Sequence, residues 1–265
     1  MNTNLFDSHC HLDFESFDDD REEVVKRAYA KGVHAILVPG TRRKTPKISS
    51  DKISKVALYY AVGLHPYFID EHQSDDIAWV QQQLETHANY WVGEIGLDRT
   101  CHQWDKQCEL FEQQVKLAKN YQRPVILHHR KSQSDLLGIL APYLDELPQF
   151  KGILHAFSGS PEQAQDWVDK GFKLGVGGTI TYARAKKTRA AIQAVPLSAL
   201  LLETDAPDMP LQGFQGKRNE PAQIAEVLSA LIALRSESAA QVTEQLWRNS
   251  QTAIQALASV DSATC

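Results

Sequence analysis

The sequence predicts an α/β fold, a (β/α)8 TIM barrel formed as a single domain by residues 1–265. Three observations predict it. Eight short apolar, β-rich runs recur along the chain, and successive runs start 20 to 34 residues apart, room for one strand and one crossover helix each. The segments between them carry helical apolar stripes. The residues able to do chemistry gather where the runs end, which in a barrel is the catalytic face. An open doubly wound sheet would usually keep a Gly-rich phosphate loop after its first strand, and that place holds His9-Cys10-His11.

The runs begin near Leu5, Ala35, Tyr59, Trp91, Val125, Ile153, Lys173 and Ala199. Between the first two, residues 19–31 put Val24, Val25 and Ala28 on one face and stop at Gly32. Residues 75–87 follow a Ser/Asp-rich start and carry the stripe Ile77, Val80, Leu84. Residues 104–120 carry Leu110, Phe111, Val115 and Ala118. Residues 161–170 open on Pro161, favoured as a first helical residue, and are followed by Gly171. Beyond the eighth run, residues 221–234 and 239–257 make two more helices. Trp79, Trp104 and Trp167 lie on helical segments and are expected to pack against the barrel. No Pro/Ser/Gly tract or charge block divides the chain.

Composition narrows the class. With 28 Lys+Arg against 33 Asp+Glu the net charge is −5, and 43% of residues are hydrophobic. A disordered chain, a collagen and a disulfide scaffold are excluded. The balance also argues against a protein that grips nucleic acid through a broad basic surface, so any polyanion contact is expected to be local. No apolar run reaches the ~18 residues of a membrane span. The start of the chain lacks a basic region followed by an apolar one, so no secretory signal is expected. Cys10, Cys101, Cys108 and Cys265 form no CxxC pair and read as reduced thiols of a cytoplasmic protein. Nothing implies an obligatory protein partner.

The ends of the runs carry the chemistry. The first closes with Asp7-Ser8-His9-Cys10-His11, and residues i and i+2 of a strand share a face, so His9 and His11 point together into the barrel mouth. Two converging imidazoles usually need a metal. The fourth run presents Glu94, the fifth His128-His129-Arg130, the sixth His155 and the eighth Glu203-Thr204-Asp205. Nitrogen and oxygen ligand types from five separate strand ends are hard to explain by core packing. Alternation puts His129 on the opposite face from His128.

This set resembles the TatD-type metal-dependent hydrolases, within the amidohydrolase-like barrels. The matching segments, in order, are Asp7 to Asp13, Gly63-Leu64-His65-Pro66, Gly93 to Asp98, Pro124 to Arg130, His155 to Gly159, Glu203 to Pro207 and Gly216 to Pro221. The resemblance implies two divalent cations: His9, His11 and Asp205 hold the first, His128 and His155 the second, and Glu94 bridges them. The family's His-x-Arg spacing also selects His128, with Arg130. It implies DNA-directed, exonuclease-like phosphodiester hydrolysis. Two stretches depart from the family. Arg99-Thr100-Cys101-His102 stands where an aromatic pair is common, and the basic stretch 42–55 is short. Both are expected on loops at the mouth, where substrate identity is set.

Charge counting agrees with an anionic substrate. Four neutral imidazoles, two carboxylates and two divalent cations leave about two net positive charges in the site. A water bridging two such ions loses a proton near neutral pH, and Asp205 is placed to accept the proton during attack. His65, Arg130 and Arg218 are expected to donate to phosphate oxygens, with DNA held locally at the mouth. Glu203 shares the face of Asp205 and is placed to orient a ligand imidazole. Asp98 is a further candidate for the site. Tyr67 and Phe68 are placed to touch a base. Gly175-Val176-Gly177-Gly178 reads as a tight turn, or as a place where phosphate approaches the backbone. His34, His72, His87 and His102 read as surface or loop residues. The ligands suit Zn, Mn, Co or Fe better than Mg. The alternative is an amidohydrolase acting on a neutral cyclic amide, lactone or nucleobase. Its usual binuclear form bridges the metals with a carbamylated lysine on the fourth strand, where this chain has Glu94.

Overall fold

In the computed structural model, which describes residues 4–44, 48 and 50–258, the strands are β1 (Leu5–Asp7), β2 (Val33–Val38), β3 (Lys52–Ile53), β4 (Val56–Val62), β5 (Trp91–Asp98), β6 (Val125–Arg130), β7 (Gly152–Leu154), β8 (Lys173–Val176) and β9 (Leu200–Leu202). Eight of them pair in the order β1-β2-β4-β5-β6-β7-β8-β9, each parallel to the next. β3 stands apart as a two-residue antiparallel hairpin arm on β4. Past the regular strands the ring is drawn together between β9 and β1. Ser8 N donates to Leu202 O at 3.0 Å, Asp205 N to His9 O at 2.9 Å and His11 N to Ala206 O at 2.8 Å. The (β/α)8 barrel is therefore present, and its last closure lies where His9, His11 and Asp205 emerge.

The helices are α1 (Arg21–Ala30), α2 (Asp76–Thr86), α3 (Trp104–Asn120), α4 (Gln133–Leu140), α5 (Pro161–Asp169), α6 (Lys186–Ala194), α7 (Ile224–Leu234) and α8 (Ala239–Ala258). α5 starts as its sequence dictates. Ser160 and Gln163 form a reciprocal capping box, with Gln163 N donating to Ser160 Oγ at 3.3 Å and Ser160 N to Gln163 Oε1 at 2.9 Å, and Pro161 follows in the first turn. Trp167 on α5 is fully buried, its ring edge-on to Phe172 and its Nε1 donating to Gln133 Oε1 at 3.1 Å. Trp79 and Trp104 are partly buried against the same core.

The expected one-helix-per-interval pattern fails once. Among the described residues no helix follows β2, and that connection holds β3 instead. Two helices appear that the apolar stripes did not reveal. α4 buries Gln133, Leu136 and Leu140, and α6 buries Thr188, Ala191 and Ile192. Each is too short, and too polar on its inner face, to show a clear period. Part of the stretch 42–55, namely 45–47 and 49, lies outside the described residues, as do Cys265 and the first three residues.

The core forms two buried clusters. The larger one lies between strands and helices. The smaller one, with Phe6, Leu37, Trp91, Ile126, Ile153 and Leu201, takes one residue or more from each of several strands and adds Ala253 from α8. It fills the barrel interior below the ligand-type residues, because Ile126 and Ile153 precede His128 and His155 by two positions on the same strand faces. Among the described residues no helix is long and apolar enough to cross a membrane.

Candidate metal centre

The polar residues at the strand ends converge on a cavity of about 230 Å³, lined among others by His11, His65, Glu94, His128, His155 and Asp205. Glu94 is its centre. β5 loses regular register between Val92 and Ile95, and Glu94 falls in that irregularity. Its side chain is buried. Oε2 lies 3.1 Å from His9 Nε2 and 3.5 Å from His11 Nε2. Oε1 lies 3.0 Å from His65 Nε2, 3.0 Å from His128 Nδ1 and 3.5 Å from His155 Nε2. The two oxygens thus face two different sets of imidazoles.

The first set is His9, His11 and Asp205, whose donor atoms lie within 4.8 Å of one another. Asp205 Oδ1 stands 3.5 Å from His9 Nε2 and 3.6 Å from His11 Nε2. Asp205 itself sits in the left-handed region, φ 59°, a conformation that costs a non-glycine residue about 1–3 kcal/mol and needs outside support. Asp7 helps to supply it from within the wall. Its carboxylate accepts from Thr204 Oγ1 at 2.6 Å, Thr204 N at 3.0 Å and His9 N at 3.3 Å, tying the two strand ends that carry the ligand types. Burial pushes the Asp7 carboxyl up to about 7.

His155 lies between the sets. Its ring stacks on His9 at 3.6 Å, and its Nε2 is 3.9 Å from Asp205 Oδ1. Glu203 Oε1 is 3.3 Å from His155 Nδ1 and also accepts from Ala156 N at 2.6 Å. A carboxylate beside Nδ1 favours the tautomer with its proton there, leaving the Nε2 lone pair toward the cavity. Burial raises the Glu203 carboxyl to about 7. A glycine within β8 makes room for this group: a Cβ on Gly175 would stand 2.1 Å from Glu203 Oε2. The role read as a turn or a phosphate approach is thus a cleared space. Gly175→Ala is expected to lower the unfolding free energy by about 1–3 kcal/mol in a denaturant melt.

His128 Nδ1 faces Glu94 while its Nε2 lies 3.5 Å from Asp98 Oδ2, and Asp98 Oδ1 accepts from Thr100 N and Oγ1 at 2.7 and 2.6 Å. Burial would lower the His128 imidazole, but Asp98 and Glu94 outweigh it and raise it to about 9. His129 points away, accepts from Gln133 Nε2 at 3.3 Å, and is held by burial at about 3. His65 has a fixed tautomer. Tyr67 N–H donates to its Nδ1 at 3.0 Å, so the ring proton is on Nε2, which donates to Glu94 Oε1. His72, read as a surface or loop residue, is buried, and its Nε2 donates to His65 O at 2.9 Å, fixing the backbone of that loop. His34, His87 and His102 stay outside the cavity.

These groups fit a divalent cation. Burial alone would raise the Glu94 carboxyl, yet His65, His9 and His155 hold it well below the usual carboxylate range, so it is anionic. Burial lowers the His9 and His65 imidazoles to about 4. His9 Nε2 and His11 Nε2 approach to 3.2 Å, and both also crowd the two carboxylate oxygens. One bridging proton cannot satisfy four such atoms, whereas a cation among nitrogen and oxygen donors can.

Two expected donors are placed elsewhere. Arg218 is committed to Asp20 through bonds of 2.9 and 2.7 Å and lies over the Phe17 ring at 4.7 Å, so it serves the loop rather than the cavity. Arg130 ends β6 exposed and is not among the cavity-lining residues. Phe14, Thr41 and Asp208 line the cavity without having been expected there, and Tyr67 and Phe68 line it as expected. The Thr41 hydroxyl is buried with no hydrogen-bond partner among the described residues. Hydroxyl and phenyl residues on loops carry no spacing signal that would have marked them.

Comparison with known proteins gives the family. The chain is 44% identical over 253 residues to the metal-dependent hydrolase YjjV of Escherichia coli strain K12, covering 94% of this chain and 96% of that one. The crystal structure of YjjV, described as a TatD homologue, superposes with a TM-score of 0.85 at 42% identity, covering 95% of this chain and 98% of that one. The 3'-5' ssDNA/RNA exonuclease TatD of Citrobacter koseri is 33% identical over 248 residues, covering 88% of this chain and 92% of that one. The family model of TatD-related DNases matches residues 6–255, and with strand ends, glycines and ligand-type residues in place across that span, the chain belongs to the TatD-related DNase family.

Proposed function

We propose that the protein hydrolyses phosphodiester bonds of nucleic acid, in exonuclease fashion, with two divalent cations. His9, His11 and Asp205 hold one, His128 and His155 hold the other, and Glu94 lies between them. The observation that carries this reading is the Glu94 carboxylate, buried, anionic and turned with one oxygen toward each set. When bound, the cations supply Lewis-acid polarisation and a lowered pKa for water. The name of the Citrobacter relative, an exonuclease on single-stranded DNA and RNA, supports the substrate class.

The chain's own groups then have distinct tasks. Asp205, at the cavity edge with its side chain 14% exposed, accepts the proton released in attack and passes it toward the leaving oxygen. His65 does not act as a ligand, because its Nδ1 lone pair is spent on Tyr67 N–H, and its Nε2–H donates to a phosphoryl oxygen once Glu94 is engaged. Phe14, Tyr67 and Phe68 offer ring faces and edges to a base. Among the described residues no lysine lines the cavity, which disfavours the carbamate-bridged amidohydrolase alternative. The unpaired cysteines Cys10, Cys101 and Cys108 fit a reducing, cytoplasmic setting.

His65→Ala is expected to lower kcat on a model phosphodiester by about 10²-fold while metal content, read by elemental analysis, stays at the wild-type level. Loss of a metal equivalent in that variant would make His65 a ligand and refute the donor role. For the substrate class, the metal-loaded protein is expected to degrade labelled single-stranded DNA. Efficient cleavage of neutral lactones or amides with oligonucleotides left intact would overturn the phosphodiesterase reading.

A further inference from the structure

The basic residues around the mouth fall into two classes. Most are matched by a carboxylate: Arg42 with Glu71 at 2.7 Å, Lys44 with Asp13 at 2.8 Å, Arg99 with Asp135 at 2.7 Å and Arg218 with Asp20 at 2.7 Å. Arg130 and Lys131 at the end of β6 are exposed without an ion pair among the described residues, and the loops after β8 and β9 gather more such residues. There Arg184, Lys186, Lys187 and Lys217 are exposed and have no carboxylate at ion-pair distance among the described residues, Lys187 acting on Glu162 only from farther off. Residues 182–189 hold four cations and no carboxylate, in a chain whose net charge is −5. Lys186 and Lys187 open α6, whose first turn has no acidic residue, so both stand where the helix dipole disfavours a cation. Local choices that oppose local physics usually mark function.

Aromatic rings are interleaved with these charges. The Arg184 guanidinium lies 5.0 Å from the Tyr182 ring centroid, and Lys217 Nζ lies 5.6 Å from that of Phe214. Phe214 and Met209 are two of the few exposed large apolar side chains. The two loops form one surface, since Tyr182 Oη donates to Pro210 O at 2.7 Å and Gln212 N to Thr181 Oγ1 at 2.9 Å. The surface reaches the metal cavity at Asp208, which lines it and directly precedes Met209.

We propose that this surface, built on Tyr182, Arg184, Lys186, Lys187, Phe214 and Lys217, binds the single-stranded stretch of nucleic acid that trails from the cavity. The proposal rests on the phosphodiesterase reading and extends it. Unpaired cations attract phosphates, and the rings take unstacked bases, whose faces a duplex keeps covered. It also gives an acidic protein a local attraction for a polyanionic substrate, on the loops after β8 and β9.

The test is fluorescence anisotropy on the full-length, metal-loaded protein, with non-cleavable phosphorothioate probes dT3 and dT15. Wild type is expected to bind dT15 about tenfold or more tighter than dT3 at low salt. The triple variant Arg184→Ala, Lys186→Ala, Lys187→Ala is expected to lose that advantage. The slope of log affinity against log salt should fall by about 2, at ~0.7 per phosphate contact on a single strand. Phe214→Ala should weaken dT15 binding about fivefold or more. The control Lys26→Ala, Lys116→Ala, Lys119→Ala, which removes equal charge from ion-paired sites elsewhere, should bind like wild type. An unchanged length advantage and salt slope in the first triple variant would overturn the proposal. So would equally tight binding of a 15-base-pair duplex through the same residues. Cleavage of ordinary oligonucleotides by wild type is scored separately. Length-dependent binding without cleavage would sink the phosphodiesterase reading and leave the surface standing, whereas cleavage without length dependence would sink the surface alone.

Discussion

Replacing Glu94 by alanine is expected to reduce phosphodiester hydrolysis by about 10³-fold or more, and to release at least one of two bound metal equivalents. The size follows from position. Five imidazole nitrogens lie within 3.5 Å of its two oxygens, one oxygen facing each set. Without it, the imidazoles of His9, His11, His128 and His155 would lose the negative charge that offsets any cations they hold. Glu94→Gln is the sharper variant, because it keeps the volume and one carbonyl oxygen but removes the charge. Steady-state kinetics and elemental analysis on both variants check the expectation. A variant with full activity and full metal content would remove Glu94 from the centre of the site.

The second large effect is at Asp205. Asp205→Asn keeps an oxygen beside His9 and His11 but cannot take a proton. Loss of a general base typically costs 10²–10⁴-fold, so kcat is expected to fall by about 10³-fold, with bound metal reduced less than in the Glu94 variants. Burial raises the Asp205 carboxyl to about 6, against the pull of His155 and His11. The sign for metal uptake follows. Above that pH the group is a carboxylate and a ligand; below it the proton competes with the cation, so affinity for metal should drop as pH falls through about 6. A metal titration at pH 5 and pH 8, on wild type and on Asp205→Asn, checks both points. A pH dependence as steep in the variant as in wild type would assign the proton to another group.

The reading from sequence and the structure agree where a strand meets polar chemistry. An apolar run that ends in His or a carboxylate is visible as a string of letters, so His9, His11, Glu94, His128, His155 and Asp205 stood out; five of them line one cavity, and His9 is buried directly against Glu94 and Asp205. The starts of the eight barrel strands were legible for the same reason. What stayed hidden depends on contacts remote in sequence. Arg218 looked like a phosphate donor because its partner Asp20 lies 198 positions away. Asp7 gave no signal, since the bend at Ser8 interrupts the alternation that marked His9 and His11. The burial of His72 follows from its bond to the His65 carbonyl, a loop contact without periodicity. Gly175 reads as a turn residue until the Glu203 carboxylate is seen filling the space it leaves. The connection after β2 shows the limit of spacing as evidence, because among its described residues an interval long enough for a helix holds a hairpin arm instead.

The most direct test of the two-cation phosphodiesterase is a metal titration of activity. Protein stripped with a chelator is given Mn²⁺ or Zn²⁺ stepwise, and cleavage of a labelled single-stranded oligonucleotide is followed. The expected result is no cleavage in the stripped protein, and activity that rises and saturates at two equivalents per chain. Cleavage by the stripped protein, or saturation at one equivalent, would contradict it.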